Sequence, residues 1–307
     1  MRRHPDERRL ATMVRRGEDV TPYLGAIAEI LADFHRTAHR GPEVDDQARP
    51  QTITARWQEN LDELTRYAGG VVTGLDPGTV DEIGRRALAF ADGRHDLFDH
   101  RIGARRIVDG HADLLADDIF CLPDGPALLD CLEFDDLLRY VDAVDDAAFL
   151  AMDLEFIGRA DLGDAFLRRY LDLSGDDAPE SLRHFFIAYR AVVRAKVDCV
   201  RYTQGHPEAA ADAQCHLDIA VAHLRAATVR LIMVGGGPGT GNTTLARGLA
   251  ESLGAVVVST DDVRAAMVSR GEIGGEPGVL GQGLYSQENI DAVYAAEPAP
   301  DGSERFE

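Results

Sequence analysis

The sequence predicts an α+β protein in two parts: a mainly helical region over residues 1–226, then the first part of a parallel α/β domain over 227–307. Three observations predict this. Apolar residues recur at helical spacing through most of the first 226 positions, the pattern breaks into short runs around a turn near 107–136, and a strand, glycine-rich turn and helix follow Ala227. The segment "TPYLGAIAEILADFHRTAHR" at 21–40 has Thr21 as a predicted N-cap and proline at the first helical position, with Leu24, Ile27, Leu31 and Phe34 on one face. Further helical patterns cover 54–67, 79–91, 149–157, 180–202 and 207–226. Between them, "RRIVDGHADLLADDIFCLPDGPALLDCLEFDD" carries two apolar runs flanking a Pro-Asp-Gly turn, the pattern of a loop leading into a β-hairpin.

With 307 residues, 45% of them apolar and 28% charged, the chain has room for two domains and a sizeable core. Its 53 acidic residues outnumber 32 basic ones, for a net charge of -21. That field repels nucleic-acid backbones and anionic membranes, so neither is an expected partner, and a polyanion has to enter through a local pocket. No run of about 18 apolar residues is present and "MRRHPDERRL" lacks the apolar stretch of a secretory signal, so a cytoplasmic protein is expected. Cys121, Cys131, Cys199 and Cys215 lack metal or redox spacing and read as buried thiols. The 10 histidines give no zinc pattern.

A first chemical cluster lies in "HADLLADDIF" and the "LLDCLE" after it. Asp113 follows His111 by two positions, Asp118 lies five further on, and a strand-like run delivers Asp130. Phosphoryl transfer needs a carboxylate to accept the proton of the attacking hydroxyl and oxygen ligands to hold Mg²⁺. The same residues also read as a solvated acidic loop. The motif resembles H-G-D-x-x-x-x-N followed by an Asp, the signature of the aminoglycoside phosphotransferase and choline kinase-like family. The resemblance implies a mainly helical kinase-like C-lobe, with Asp113 as the catalytic residue and Asp118 and Asp130 as metal ligands. Asp118 departs from the family's Asn, keeping an oxygen ligand and adding a charge. The family's amino-terminal lobe is expected to be missing, because only about twenty residues precede the 21–40 helix.

The second cluster, "VGGGPGTGNTTLAR", follows an apolar run and opens a helical pattern. It fits the phosphate-binding loop G-x-x-x-x-G-K-[ST] with Asn242 in place of lysine. Gly236, Gly237, Gly239, Thr240, Gly241, Asn242, Thr243 and Thr244 are the expected nucleotide-binding residues, and Thr243 is the expected Mg²⁺-binding hydroxyl. Glycines allow close approach of backbone N–H groups, and the helix start turns its positive end toward phosphate. Asn242 keeps a donor and loses the charge, and the only lysine in the chain is Lys196. After the next apolar run, Asp261 and Arg264 resemble the base and partner of small-molecule P-loop kinases, including zeta-toxin-like kinases. The bland reading of the same stretch is a helix start with Thr260 as cap and two acids in the first turn.

A phosphotransferase-like half followed by a P-loop kinase half resembles a two-domain bacterial architecture labelled AAA-family ATPase or phosphotransferase-like protein, here expected to be truncated at both ends. The resemblance implies ATP and Mg²⁺ as cofactors and a small-molecule acceptor as partner. Three functions follow from it: a nucleotide-binding protein with a degenerate loop and weak or no catalysis, an active kinase for a small-molecule hydroxyl, or a non-enzymatic helical scaffold or gene remnant.

Overall fold

The computed structural model describes residues 4–228, 232–236, 240–253, 257–277 and 281–296. The chain divides into two compact units, Met1–Val229 and Arg230–Glu307. The first contains helices α1 (Leu10–Arg15), α2 (Thr21–Thr37), α3 (Pro42–Asp45), α4 (Pro50–Ala68), α5 (Pro77–Asp92) and α6 (His95–Gly103). Strands β1 (Ile107–Asp109), β2 (Ile119–Leu122) and β3 (Gly125–Leu128) follow, then α7 (Asp136–Arg139) and β4 (Tyr140–Asp142). Helices α8 (Ala143–Phe156), α9 (Ala160–Ser174), α10 (Glu180–Thr203) and α11 (Ala209–Ala226) complete it.

The core forms around α10, which packs on α11, α8 and α4, while α9 joins α8 to α2. Phe185 of α10 stacks on Phe90 of α5 at 4.2 Å and meets Trp57 of α4 at 5.3 Å. Aromatic pairs at such distances add to the stabilisation that their buried area supplies. Two small antiparallel sheets interrupt the helices: β1 pairs with β4, with Val108 opposite Val141, and β2 pairs with β3, with Phe120 opposite Ala127. A buried guanidinium ties distant segments together: Arg101 of α6 grips Asp142 at 2.6–2.8 Å and Asp176 through two further hydrogen bonds. Buried charge of this kind persists only when paired, so removing one partner costs about 3–5 kcal/mol.

The predicted helices over 21–40, 54–67, 79–91, 149–157, 180–202 and 207–226 all lie on observed helices, and the predicted hairpin is β2–β3. Helices α1, α6 and α9 and the β1–β4 pair extend the predicted pattern. The cap of α2 differs from expectation. Thr21 is the first helical residue because Val20 before it already has helical backbone, so Thr21 lies inside the helix and its free amide donates to Asp19 Oδ1 at 3.0 Å. Cys121 and Cys199 are buried thiols as expected, whereas Cys131 and Cys215 are exposed.

In the second unit the described elements are α12 (Asn242–Leu253), α13 (Thr260–Arg270) and α14 (Gln287–Ala295). Met267, Ile273 and Val293 form a small core cluster there. Of the two runs expected as parallel strands, only 232–234 and 257–259 lie among the described residues, and those parts carry no strand. The physical reason is that neither has a hydrogen-bonded neighbour among the described residues, and Ile232, Met233 and Val258 stand exposed. Ser259, one residue before the expected Thr260, caps α13 by accepting from the Asp262 amide. No helix among the described residues is long and apolar enough to cross a membrane.

Candidate functional site

The acidic cluster of the first unit sits on the loop between β1 and β2, and that loop is fixed from beneath by α8. Asp146 is fully buried. Its carboxylate accepts hydrogen bonds from the amides of His111 and Ala112, each at 2.7 Å, and lies 2.9 Å from His35 Nε2. The other ring nitrogen of His35 is 2.7 Å from the Tyr170 hydroxyl, which links the loop to α2 and α9. Burial alone would push the Asp146 carboxyl up, but His35, the His111 amide and Arg190 outweigh it and hold it below the usual carboxylate range. Gly110 is required at the start of the loop, since a Cβ there would come within 2.7 Å of Asp146 Oδ2 and 2.8 Å of Val141 Cγ2.

The neighbouring Asp145 works through a partner. Arg190 of α10 holds it by two hydrogen bonds at 2.7 and 2.8 Å, and Arg190 Nη1 also donates to the Ala112 carbonyl at 3.2 Å. Ala112 is thereby bonded at both its amide and its carbonyl while its φ is 62°, a left-handed conformation that L-residues adopt at a cost. This backbone turn presents Asp113 to a cavity of about 420 Å³ lined by residues of α4, α8 and α10 and of the 132–141 segment. Burial raises the Asp113 carboxyl above its ordinary value, and Arg194, Arg190 and His111 oppose that shift.

His111 joins the loop to the hairpin. Its Nε2 is 3.1 Å from the Leu129 carbonyl, and the Leu132 amide donates to the His111 carbonyl at 3.1 Å. The Leu129 amide donates in turn to the Asp118 carbonyl, which brings Asp130, with φ 62°, beside the loop. Asp118 is raised by burial first and then by the charges of Asp130 and Asp113. The three predicted carboxylates therefore share one neighbourhood. Among the described residues, however, no group of three or more acidic, His or Cys side chains is arranged as a metal cage.

In the second unit Asn242 opens α12, and its side chain turns back on the loop that precedes it. Its Nδ2 donates to the Gly236 carbonyl at 3.0 Å, and the Thr240 hydroxyl is 3.3 Å from its Oδ1. Gly241, with φ 89°, makes the left-handed bend before the helix, and Thr243 and Thr244 are exposed at its first turn. Gly237 and Gly239 lie outside the described residues. On α13, Asp261 is exposed and pairs at 2.6 Å with Arg264, whose guanidinium is largely buried over the Tyr285 ring.

The sequence pattern did not single out His35, Asp145, Asp146, Arg190 or Arg194. A signal for two of them is present: Asp145 and Asp146 sit in the otherwise apolar "AVDDAAFLAM", where acids face the interior only if they are paired.

Residues 231–297 match the AAA domain family and form a P-loop kinase-like region. Such domains generally use ATP and Mg²⁺, and a nucleotide is the partner this region suggests. The chain is also similar to the uncharacterized proteins Rv2004c and MT2060 of Mycobacterium tuberculosis and Mb2027c of Mycobacterium bovis. Each is 59% identical over 294 residues, which covers 96% of this chain and 58% of the relative. The chain thus spans less than two thirds of the length of the curated relatives it matches. No solved structure matches it.

Proposed function

We propose that the chain is a nucleotide-binding protein of the phosphotransferase kind. Its second unit holds the phosphates of Mg²⁺-ATP on the loop from Gly236 to Thr244 and turns nucleotide over weakly or not at all. The observation that carries this reading is the conformation of Asn242. At the position where a phosphate-binding loop uses lysine, its side chain bonds to Gly236 and Thr240 and braces the loop itself. What remains for phosphate is the amino-terminal end of α12 and the Thr243 hydroxyl, a neutral cradle with a favourable dipole. Losing the lysine removes a charge that stabilises the transition state, worth about 4 kcal/mol at 4 Å and an effective dielectric of 20.

The expected cofactors fit in part. In the second unit Thr243 would supply one oxygen ligand for Mg²⁺, and in the first unit Asp118 and Asp130 would by themselves offer a separate ion two carboxylates, with phosphate and water completing each shell. Bound Mg²⁺ would neutralise phosphate charge. In this reading Asp261, held by Arg264, is a further acid positioned to take a proton from a hydroxyl.

A second reading, that the first unit is a phosphotransferase-type C-lobe with an acceptor site, is favoured by the cavity above Asp113. A half-buried carboxylate of raised pKa, fixed by a braced loop at the floor of a cavity, suits a group that receives the proton of an acceptor hydroxyl.

Thermal shift of the full chain with Mg²⁺-ATP tests the first reading. A stabilisation at millimolar nucleotide that is lost in Gly241→Asp and weakened in the surface variant Thr243→Ala is expected. No shift at that concentration would end it.

A further inference from the structure

The cavity above Asp113 carries a charge pattern opposite to that of the whole chain. Arg56 of α4 and Arg194 of α10 line it, and among the described residues neither guanidinium is paired with a carboxylate. Arg56 spends its hydrogen bonds on neutral acceptors, the Tyr140 and Leu137 carbonyls and the Gln47 amide oxygen, so its charge is left uncompensated. Arg194 is half-buried, and Asp113 and Asp153 feel its charge without forming an ion pair with it. Arg190, the third arginine of the wall, is neutralised by Asp145, and Lys196 near the rim pairs with Glu63 at 3.3 Å. Glu59 stands exposed at the rim.

Aromatic side chains complete the walls: Phe149 and Tyr189 from within, and Phe134 at the mouth, where it is 84% exposed. An exposed phenyl ring above a recess with two unpaired guanidiniums is matched by a flat apolar body that ends in an oxyanion. A half-buried cation without a counter-ion holds a desolvation cost that a bound anion offsets.

We propose that this cavity binds a small aromatic molecule bearing a carboxylate or phosphate, with the oxyanion on Arg194 and Arg56 and the ring between Phe134 and Phe149. The position of a hydroxyl on that ligand, at Asp113, rests on the acceptor-site reading above. Binding of the anion does not. A polycationic acceptor is excluded by the same residues, because it would bring like charge to Arg194 and Arg56.

The test is ligand-observed NMR and calorimetry on the full chain without nucleotide. The probes are 4-hydroxybenzoate, its neutral amide, the cationic 4-hydroxybenzylamine, and phenyl phosphate. Either anion is expected to bind at least about tenfold more tightly than the amide and the amine. Arg194→Gln, whose wild-type side chain makes no hydrogen bond among the described residues, is expected to lose about tenfold, with partial rescue in Arg194→Lys. Phe134→Ala, a surface change, is expected to weaken binding without altering the melt. Preference for phenyl phosphate would assign the oxyanion to a phosphate ester, and preference for 4-hydroxybenzoate to a carboxylate. Equal binding of the amide or amine, an unchanged Arg194→Gln, or no binding of either anion at about 10 mM overturns the proposal. Anion binding without phosphoryl transfer from ATP would instead remove the acceptor reading and leave the anion site standing.

Discussion

The two units hold their candidate loops in different ways. In the first, the loop carrying Asp113 is fastened from within: Asp146 takes two of its amides, Arg190 takes a carbonyl, and His35 and Tyr170 hold Asp146 in place. In the second, the described bonds of the loop ending in Asn242 run from that side chain to Gly236 and Thr240, at an exposed surface. The difference teaches where precision resides. Precise geometry needs groups locked by a packed surround, and among the described residues the larger surround belongs to the first unit. Its core runs through ten or more elements, while the described core of the second is Met267, Ile273 and Val293.

Breaking the internal fastening should give the largest effect. Asp146→Ala leaves two loop amides and His35 without their acceptor, so the first unit is expected to lose about 3–5 kcal/mol. Urea denaturation of the full chain followed by far-UV dichroism measures it. A loss below about 1 kcal/mol would mean that the loop is held by packing alone. Next in size is the contrast between the cores. Leu150→Ala, in the fully buried face of α8, should cost about 2–5 kcal/mol in the first unit. Met267→Ala should cost about 1 kcal/mol in the second. Hydrogen exchange resolves the two units, and equal losses would erase the distinction.

Acid sharpens the comparison further. Asp146 has a folded pKa below its ordinary value of 3.8, so its contribution is complete well above that pH. It is lost as pH falls through 3.8 toward the folded value. Asp113 and Asp118 are raised, and protonation in the folded state therefore favours folding as pH falls through their folded values. The wild-type acid limb mixes the two signs. The difference between wild type and Asp146→Asn isolates one, and it should shrink steadily as pH is lowered through the carboxylate range. A pH-independent difference would contradict the depressed pKa. In the second unit, Asn242→Lys should strengthen Mg²⁺-ATP binding by about 1 kcal/mol or more while loosening the loop by a comparable amount, because the new cation gives up the bond to the Gly236 carbonyl. Nucleotide titration of the two proteins measures it, and weaker binding in the lysine variant would show that the brace matters more than the charge.

Sequence made the outline legible where a signal is local. The faces of α2, α4, α5, α10 and α11 repeat at helical spacing, and Pro123, Asp124 and Gly125 mark the hairpin turn within a few residues. The proximity of Asp113, Asp118 and Asp130 is legible for the same reason, since they lie on one loop and its hairpin. The fastening was not legible, because His35 meets Asp146 across 111 positions and Arg190 meets Asp145 across 45, and pairing at that range leaves no periodic trace. The described parts of the expected strands, 232–234 and 257–259, carry no strand for a related reason. A strand is defined by a neighbour, and apolar runs such as "RLIMV" and "AVVVS" report only that one is wanted.

The smallest prediction tests how far the fastening determines the backbone it holds. Ala112 is left-handed, at φ 62°, with its amide on Asp146 and its carbonyl on Arg190. An L-residue in that region costs about 1–2 kcal/mol, while glycine costs about 0.5–1 kcal/mol through the freedom it gives the unfolded chain. Ala112→Gly should therefore change stability by less than about 1 kcal/mol, in the stabilising direction. Exchange protection of its amide should persist because Asp146 still accepts it. If the variant is instead destabilised by more than that, the buried methyl of Ala112 carries the position through its packing on the cavity wall. The bonds from Asp146 and Arg190 would then follow the conformation of the loop, and the first unit would hold Asp113 by shape as much as by charge.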